Sequence, residues 1–466
     1  MIRLFRQYLS VRKAAFVLGE GALVFLSVTL VSYFLLGRGV GMKAMLSVIW
    51  PQVLTIAVIT QLSLYFNDLY EFKHTDNALD FATRLLQSIG ITSIALAIVY
   101  FFWPGMIIGK WVFFVSLILM LLSLVSWRIL YFYVIRNKLF AEKTVMVGTG
   151  ELAGDILGEI RRRSDLSYDI SAAITHNGKD EDPRQGLGRI PLYHGFNRIE
   201  EVVEAENAKG IIVALDEKRG VFPFNELLAC KMKGVNIIDG QSFYERITGK
   251  LLVEKMPPSW LIFSDGFVKS RFTRATKRVL GLSLSAFLLF VLFPLFLVVA
   301  AAVKLTSRGP SLFSQERVGE FGKPFTLYKF RSMRVDAEEE TGPVWATEDD
   351  PRITRVGKII RKLRVDELPQ LWNVFRGDMS FVGPRPERRY FVEQLKEKVP
   401  YYNERFSVKP GVTGWAQIKY PYGASEKDAL EKLKFDLYYI KNMSMVFDIA
   451  VVFHTIKIVL LGRGSR

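Results

Sequence analysis

Four apolar segments, at roughly 14–36, 46–66, 84–103 and 111–134, constrain this chain more than anything else in it. Each is close to the ~20 residues a helix needs to cross the hydrocarbon core of a bilayer. No water satisfies backbone groups in that solvent, so uniformly apolar runs of this length are expected as helices. Arg3, Arg6, Arg12 and Lys13 precede the first run, and Arg128, Arg136 and Lys138 close the fourth. Basic flanks stay in the cytoplasm, so both ends of the region are expected there, after an even number of crossings. The N-terminal cluster carries the charge of a signal peptide. The run behind it is long, lacks a small-residue cleavage site and is followed by further spans, so it reads as a first transmembrane helix. Pro104 and Gly105 between the last two runs leave a second reading open, a tight hairpin.

A length of 466 residues implies more than one domain, and the formal net charge is +16. In a membrane protein that excess points to cytoplasmic loops, anionic headgroups and phosphorylated substrates. No nucleic-acid motif accompanies it, so no nucleic-acid partner is expected. Cys230 is the only cysteine, which excludes an internal disulfide. Four histidines, at 74, 176, 194 and 454, are too scattered for a zinc site. Any metal is therefore expected to be hard and oxygen-bound, with Mg²⁺ first.

The domains expected are four transmembrane helices over 1–140, a Rossmann-like α/β unit over 141–240, a linker over 241–274, a broken membrane helix over 275–303 and a mostly helical polar domain over 304–466. In the α/β unit, strands are expected at 144–147, 170–175, 210–215 and 235–239. Gly148-Thr149-Gly150-Glu151-Leu152-Ala153 follows the first strand and opens a helical pattern, the setting of a G-x-G-x-x-A phosphate loop. The acidic residue such a site uses for ribose is missing after the second strand, where His176 and Asn177 stand. Two readings stay open, a working nucleotide site and, weighed more heavily, a degenerate structural or regulatory unit. The apolar run at 279–303 is long enough to cross, but Pro294 interrupts it. Arg271, Arg274, Lys277 and Arg278 flank it on one side and Lys304 and Arg308 on the other. That pattern favours a re-entrant helix broken at Pro294 over a kinked fifth span.

The polar domain holds two adjacent carboxylates, Asp366 and Glu367, ahead of Leu368, Leu371, Trp372 and Phe375. Those four apolar residues fall on one helical face, which places Asp366 at or near an N-cap and Pro369 in the first turn. Arg385 lies between Pro384 and Pro386, a restricted guanidinium suited to holding a phosphate. The plainer alternative is an ordinary cap followed by a proline-rich turn. The basic, aromatic stretch at 323–334 alternates like a strand, and 410–417 is a glycine-punctuated turn. Residues 435–461 mix apolar and charged side chains, as helices lying in the membrane interface do.

Residues 274–466 resemble the bacterial sugar transferases, the monotopic phosphoglycosyl transferases that act on polyprenyl phosphates. The match runs in order through Gln315-Glu316-Arg317-Val318-Gly319, Tyr328-Lys329-Phe330-Arg331-Ser332-Met333, Asp350-Pro351-Arg352-Ile353-Thr354 and Asp366-Glu367-Leu368-Pro369-Gln370-Leu371. It continues through Gly377-Asp378-Met379-Ser380-Phe381-Val382-Gly383-Pro384-Arg385-Pro386, Pro410-Gly411-Val412-Thr413-Gly414-Trp415-Ala416-Gln417 and Asp436-Leu437-Tyr438-Tyr439. The first half is similar to the extension of the larger, exopolysaccharide-initiating members. Two departures are Phe293-Pro294, where many relatives have Ser-Pro, and Ile418-Lys419-Tyr420-Pro421-Tyr422 after Gln417, where many have Val-Asn-Gly-Arg.

The resemblance implies that a UDP-sugar gives its sugar-1-phosphate to Asp366, releasing UMP, and that a polyprenyl phosphate then takes the phosphosugar. It implies Glu367 as a partner for Mg²⁺ or protons, with both carboxylates as metal ligands. Arg385, Lys329, Arg331, Arg317, Arg352, Gly414 and Gln417 are the implied phosphate- and substrate-binding residues. It further implies a homodimer among membrane lipids of the bacterial inner membrane, its catalytic domain on the cytoplasmic face. Two competing readings are a metal-dependent glycosyltransferase built on Glu348-Asp349-Asp350 and a non-catalytic scaffold or regulator of polysaccharide assembly.

Overall fold

The structure, a computed structural model, describes the chain apart from residues 1, 5–6, 10, 38–40, 72–77, 138–140, 164–165, 167, 177–187, 189, 217–221, 257, 336, 338–349, 421–422, 424 and 462–466. The fold comprises two compact units, Tyr8–Phe243 and Tyr244–Arg466, between which residues 1–7 are divided.

The first unit opens with four helices long and apolar enough to cross a membrane: α1 (Val11–Leu36), α2 (Met42–Phe66), α3 (Ala78–Phe102) and α4 (Lys110–Arg136). Their hydroxyl residues are accommodated by bonding back one turn, as Ser27 does to the Leu23 carbonyl (2.7 Å) and Thr60 to that of Ile56 (2.7 Å). Two charges are buried together inside the bundle. Arg128 of α4 lies 2.7 Å from Glu20 of α1 and donates to the Leu69 carbonyl (2.8 Å), among the rings of Phe16 and Tyr70. Pairing is what makes ions tolerable at such a place.

A parallel five-stranded sheet follows, built from β1 (Glu142–Val147), β2 (Tyr168–Thr175), β3 (Leu192–His194), β4 (Gly210–Val213) and β5 (Asn236–Asp239) in the order β3-β2-β1-β4-β5. This doubly wound order places the glycine turn between β1 and α5 (Glu151–Arg162) at the carboxyl end of the central strand. The short edge strand β3 carried no recognisable signal. Val145, Val147, Ile174, Ile211 and Val213 fill the core against α6 (Ile199–Ala205) and α7 (Phe224–Met232). α8 (Gly240–Thr248) follows.

In the second unit, much of the stretch expected as a linker is part of the fold. Leu251 and Val253 are buried in the main core, and Trp260 and Phe267 pack against it. Lys441 binds Glu245 at 2.6 Å. α9 (Pro258–Phe263) precedes a bent apolar helix pair, α10 (Arg271–Val291) and α11 (Phe293–Thr306), whose axes differ by 62°. Leu292 forms the corner, and Pro294 falls in the first turn of α11, where its missing N–H is no loss. The Leu292 carbonyl accepts from Phe296 N at 2.9 Å.

An antiparallel hairpin, β6 (Leu312–Val318) and β7 (Pro324–Phe330), then leads to α12 (Arg355–Lys362), a 3₁₀ turn Val365–Glu367 and α13 (Gln370–Arg376). β8 (Ser380–Val382) pairs in parallel with β9 (Gly411–Thr413), with α14 (Arg389–Lys398) between them. α15 (Trp415–Lys419), α16 (Glu426–Asn442) and α17 (Met445–Leu460) complete the unit. α16 starts on a capping box of Ser425 and Asp428. Leu437, Tyr439 and Ile440 of α16 and Phe447 and Val451 of α17 form the middle of the core. α17 also exposes Met445, Ile449, Phe453, Ile456 and Leu460 along one stripe.

The helix expected to start at Asp366 is corrected. Asp366 and Glu367 occupy the 3₁₀ turn, entered through Arg364 at φ 54°, and α13 begins only at Gln370 with Pro369 as its cap. The expected apolar face changes with it. Trp372 is 46% exposed, whereas Gln370, Leu371, Asn373 and Val374 are buried. A 3₁₀ segment turns by three residues rather than 3.6, so a single period counted through both is out of phase. Asn373 fixes the inward side: its amide donates to the Thr326 carbonyl (2.6 Å) and its oxygen accepts from Tyr328 N (3.2 Å) on β7.

Candidate active site

β7, the 3₁₀ turn and the Pro384-Arg385-Pro386 loop converge on one cleft of about 700 Å³. Its described lining holds eleven lysine and arginine side chains against four carboxylates, a surplus suited to a polyanion. Asp366, Glu367, Arg385, Lys329, Arg331, Arg317, Arg352 and Gln417 all line it. Gly414 does not. A side chain there would meet the Gly383 carbonyl at 2.3 Å, so the glycine lets β9 and α15 close on the Arg385 loop.

The two carboxylates differ in their surroundings. Glu367 receives Arg385 Nη2 at 2.8 Å and Lys329 Nζ at 3.3 Å, with Arg364 at 3.7 Å. Burial pushes its pKa up, but those cations outweigh burial and hold it below the ordinary range. Asp366 is 9% exposed, and no described residue donates it a hydrogen bond. Its carboxyl is pushed up by burial first and by the Glu367 charge second, while Lys329, Arg361 and Arg385 pull the other way. Lys329 is itself lowered by burial, partly restored by Glu367. The arrangement holds one tied carboxylate next to one that is partly desolvated and unbonded.

Not every nominated cation is directed at a ligand. Arg331 is buried and donates to the Ser307 and Arg308 carbonyls (2.9 and 2.7 Å), closing the end of α11. Arg352 forms a two-pronged pair with Asp350 (2.8 and 2.6 Å) and holds that carboxyl down at about 2. Glu348 and Asp349 lie outside the described residues. Arg317 bonds Gln315 (2.7 Å) and the Pro386 carbonyl (3.3 Å). The amide oxygen of Gln417 is buried without a hydrogen-bond partner among the described residues.

Arg405 was missed. It is buried, donates to Asp436 (2.9 Å) and to the backbone carbonyl of Arg385 (3.1 Å), and packs on Tyr402, whose hydroxyl accepts at 2.6 Å. It therefore fixes the main chain from which the Arg385 side chain projects. Asp436 stood in a recognised motif, but no local signal in the sequence joins it to a residue 31 positions away.

Among the described residues no group of three or more Asp, Glu, His or Cys is placed to cage a metal. Mg²⁺ fits nonetheless, because it usually takes one or two carboxylates from the protein and the rest of its shell from phosphate and water. The unbonded Asp366 carboxylate beside Glu367 is such a donor set.

The glycine turn of the α/β unit has a different occupant from the one expected of a phosphate loop. Asp216 accepts from the backbone of Glu151 (2.9 Å) and Leu152 (3.1 Å), so a carboxylate of the chain fills the N-terminus of α5. Gly148, at φ 107°, packs against the Ala214 carbonyl. His176 follows β2 and packs against Phe196, and Asn177 lies outside the described residues.

Four helices apolar enough to span a bilayer and a polar unit that gathers cations around a carboxylate pair define a membrane-associated protein with a site suited to polyanions. Comparison with known proteins narrows the class. Residues 272–462 match the model of the bacterial sugar transferase family, and residues 65–220 match a CoA-binding domain model. An exopolysaccharide production protein of Rhizobium leguminosarum bv. phaseoli is 43% identical over 185 residues, 39% of this chain and 92% of its own. The UDP-N-acetylgalactosamine-undecaprenyl-phosphate N-acetylgalactosaminephosphotransferase of Aeromonas hydrophila is 40% identical over 240 residues, 52% of this chain and 56% of that protein. The undecaprenyl-phosphate glucose phosphotransferase of Komagataeibacter xylinus is 32% identical over 366 residues, 76% and 66% of the two chains. The match thus spans less than two thirds of either of these two longer relatives. The chain belongs to the bacterial sugar transferase family.

Proposed function

We propose that this chain transfers sugar-1-phosphate from a UDP-sugar to a polyprenyl phosphate through a covalent phosphosugar on Asp366, releasing UMP and initiating glycan assembly. The observation that carries the proposal is the unequal pair: Glu367 tied by Arg385 and Lys329, and Asp366 unbonded in the same cation-lined cleft. In the first step an Asp366 oxygen attacks the phosphorus that bears the sugar. The bond from that phosphorus to the bridging oxygen breaks, and UMP leaves with the electron pair. In the second step an oxygen of the polyprenyl phosphate attacks the same phosphorus and the aspartate carboxylate leaves, forming the diphosphate-linked sugar.

An anion attacking a pyrophosphate needs its repulsion screened. Arg385 and Lys329 lie where they can screen it, and their ion pairs with Glu367 hold them in place before substrate arrives. Burial makes Asp366 more basic than a free aspartate, which strengthens it as a nucleophile once ionised. When bound, Mg²⁺ supplies further charge neutralisation at the phosphates, held by Asp366 and Glu367. The donor is assigned only as a UDP-sugar, since the named relatives divide between N-acetylgalactosamine and glucose.

The membrane elements support a place of action on the cytoplasmic face. Four crossings return the chain to the cytoplasm, where UDP-sugars are made. The bend between α10 and α11, with basic residues beyond both limbs, supports a re-entrant element that keeps the cleft on that face of the bacterial inner membrane. Incubation with a UDP-sugar and no acceptor, followed by intact-mass analysis, tests the chemistry. A sugar-phosphate adduct is expected on the wild type and none on Asp366→Asn. An adduct retained by the variant would overturn the assignment.

A further inference from the structure

Two consecutive side chains of the broken membrane helix reach the back of the site, and each grips a different wall. Arg278 of α10 donates to the Val374 carbonyl (2.7 Å) and the Phe375 carbonyl (2.8 Å), in the last turn of α13. The Val374 carbonyl also accepts from Gly377 N at 3.1 Å, and last-turn carbonyls with spare lone pairs suit a guanidinium in both charge and geometry. Gly377, at φ 94°, leaves the room: a side chain there would meet the guanidinium at 3.0–3.2 Å. The opposite end of this seven-residue helix joins the turn that carries Asp366 and Glu367.

Lys277 grips the other wall. Its three N–H groups face three acceptors: Asp448 Oδ2 (2.6 Å), the Tyr439 hydroxyl oxygen (2.5 Å) and the Val382 carbonyl (3.3 Å). The Tyr439 hydroxyl in turn lies 2.7 Å from Asp448 Oδ1. Val382 ends β8, three residues before Arg385. The second limb is tied as well, since Arg331, two residues after Lys329, holds the carbonyls that follow α11. Neither Lys277 nor Arg278 lines the cleft, so neither is placed to touch substrate.

Resting on the transfer reading above, we infer that Lys277 and Arg278 are separate positioning residues: Arg278 sets the carboxylate turn and Lys277 sets the Arg385 loop. The seating of α10 in the membrane thereby fixes the distance between nucleophile and clamp. The two roles predict different kinetic losses. A displaced nucleophile slows the chemical step, whereas a displaced clamp weakens donor binding.

The test uses the full chain in lipid nanodiscs. UMP release is measured with UDP-glucose or UDP-N-acetylgalactosamine, whichever the wild type turns over, and normalised to adduct-forming molecules. Arg278→Gln is expected to lower kcat on the order of 10²-fold, the scale of an ångström misplacement, with little change in KM. Arg278→Lys, which keeps the charge and can reach one carbonyl, should recover part of that loss, and it carries the measurement if the glutamine variant does not fold. Lys277→Gln is expected to raise the donor KM about ten-fold, the scale of one charge-assisted hydrogen bond, with a smaller effect on kcat. Asp448→Asn should reproduce that pattern more weakly. Unchanged constants per active molecule, with only the yield of folded protein reduced, would overturn the inference. So would a loss of kcat and KM in the same ratio for both positions. A wild type silent with both donors is measured again with further UDP-sugars, and silence with all of them would instead remove the functional reading on which the inference rests.

Discussion

The start of α5 and the approach to α13 both follow sequences that read as phosphate sites, and the structure resolves them in opposite ways. At α5 the free backbone N–H groups behind the glycine turn are taken by Asp216, at 2.9 and 3.1 Å. Before α13 the acidic residues face a cleft with surplus cations, and Asp366 has no described hydrogen-bond donor. At α5 two of the donors that a phosphate would use are satisfied by the chain itself. A carboxylate left without a hydrogen bond in a cleft, stabilised only by nearby cations, stays available to a ligand. The difference favours the second unit as the place of the proposed chemistry.

The largest effect that could break this comparison is at Asp366. Asp366→Asn keeps the shape and removes the anion, and turnover by UMP release should fall on the order of 10⁴-fold. Normal turnover would place the reaction elsewhere. Arg385→Ala, which removes both donor binding and charge screening, should lower kcat/KM for the donor roughly 10²–10³-fold, the scale of losing one preorganised charge contact in a shielded site. It also leaves Glu367 with fewer cations, so a loss smaller than ten-fold would show that Lys329 and Arg364 suffice.

A pH profile sharpens the contrast. Asp366 attacks only when ionised, and burial together with the Glu367 charge raises its pKa. The rate of adduct formation, at fixed Mg²⁺, should therefore fall on acidification from a pH above the ~3.9 of a free aspartate. Lys329 favours the anion, so Lys329→Met should move that acid limb to higher pH by about one unit. A shift to lower pH would contradict the assignment. The smallest effect belongs to α5. Asp216→Ala should lower thermal stability by about 1 kcal/mol, the value of a helix cap, and leave UMP release per folded molecule unchanged. A large loss of turnover there would end the distinction between the two sites.

What could be read from the sequence follows from the range of the forces involved. The four spans were legible because lipid imposes one length and one composition on every residue of a helix. The glycine turn between β1 and α5 was legible as a local backbone requirement. Asp366, Glu367 and Arg385 were nominated because they lie within motifs of a few residues. The phase of α13 was not legible, because a 3₁₀ turn precedes it and Asn373 is drawn inward by bonds to β7, some 45 residues earlier. Arg405 and Tyr402 were not legible either, since their contacts with Arg385 and Asp436 arise only when α16 packs beneath the loop. Asp216 reaches α5 from the far end of β4, 65 residues on. No window of neighbouring residues carries such contacts.

The buried pair of Glu20 and Arg128 bears on how the protein is made. The two residues are 108 positions apart, so at synthesis rates of about 5–20 residues per second the first helix waits some seconds for its partner. A lone charged side chain at the middle of a spanning helix costs about 2.5–3.5 kcal/mol on insertion scales, enough to offset several leucines. Glu20 lies on the basic-end side of the middle of α1, so the first helix, apolar enough to span alone, bears part of that cost until the fourth supplies Arg128. The pair therefore ties the first helix to the last of the four, so the two ends of the bundle are held to each other by charge as well as by packing.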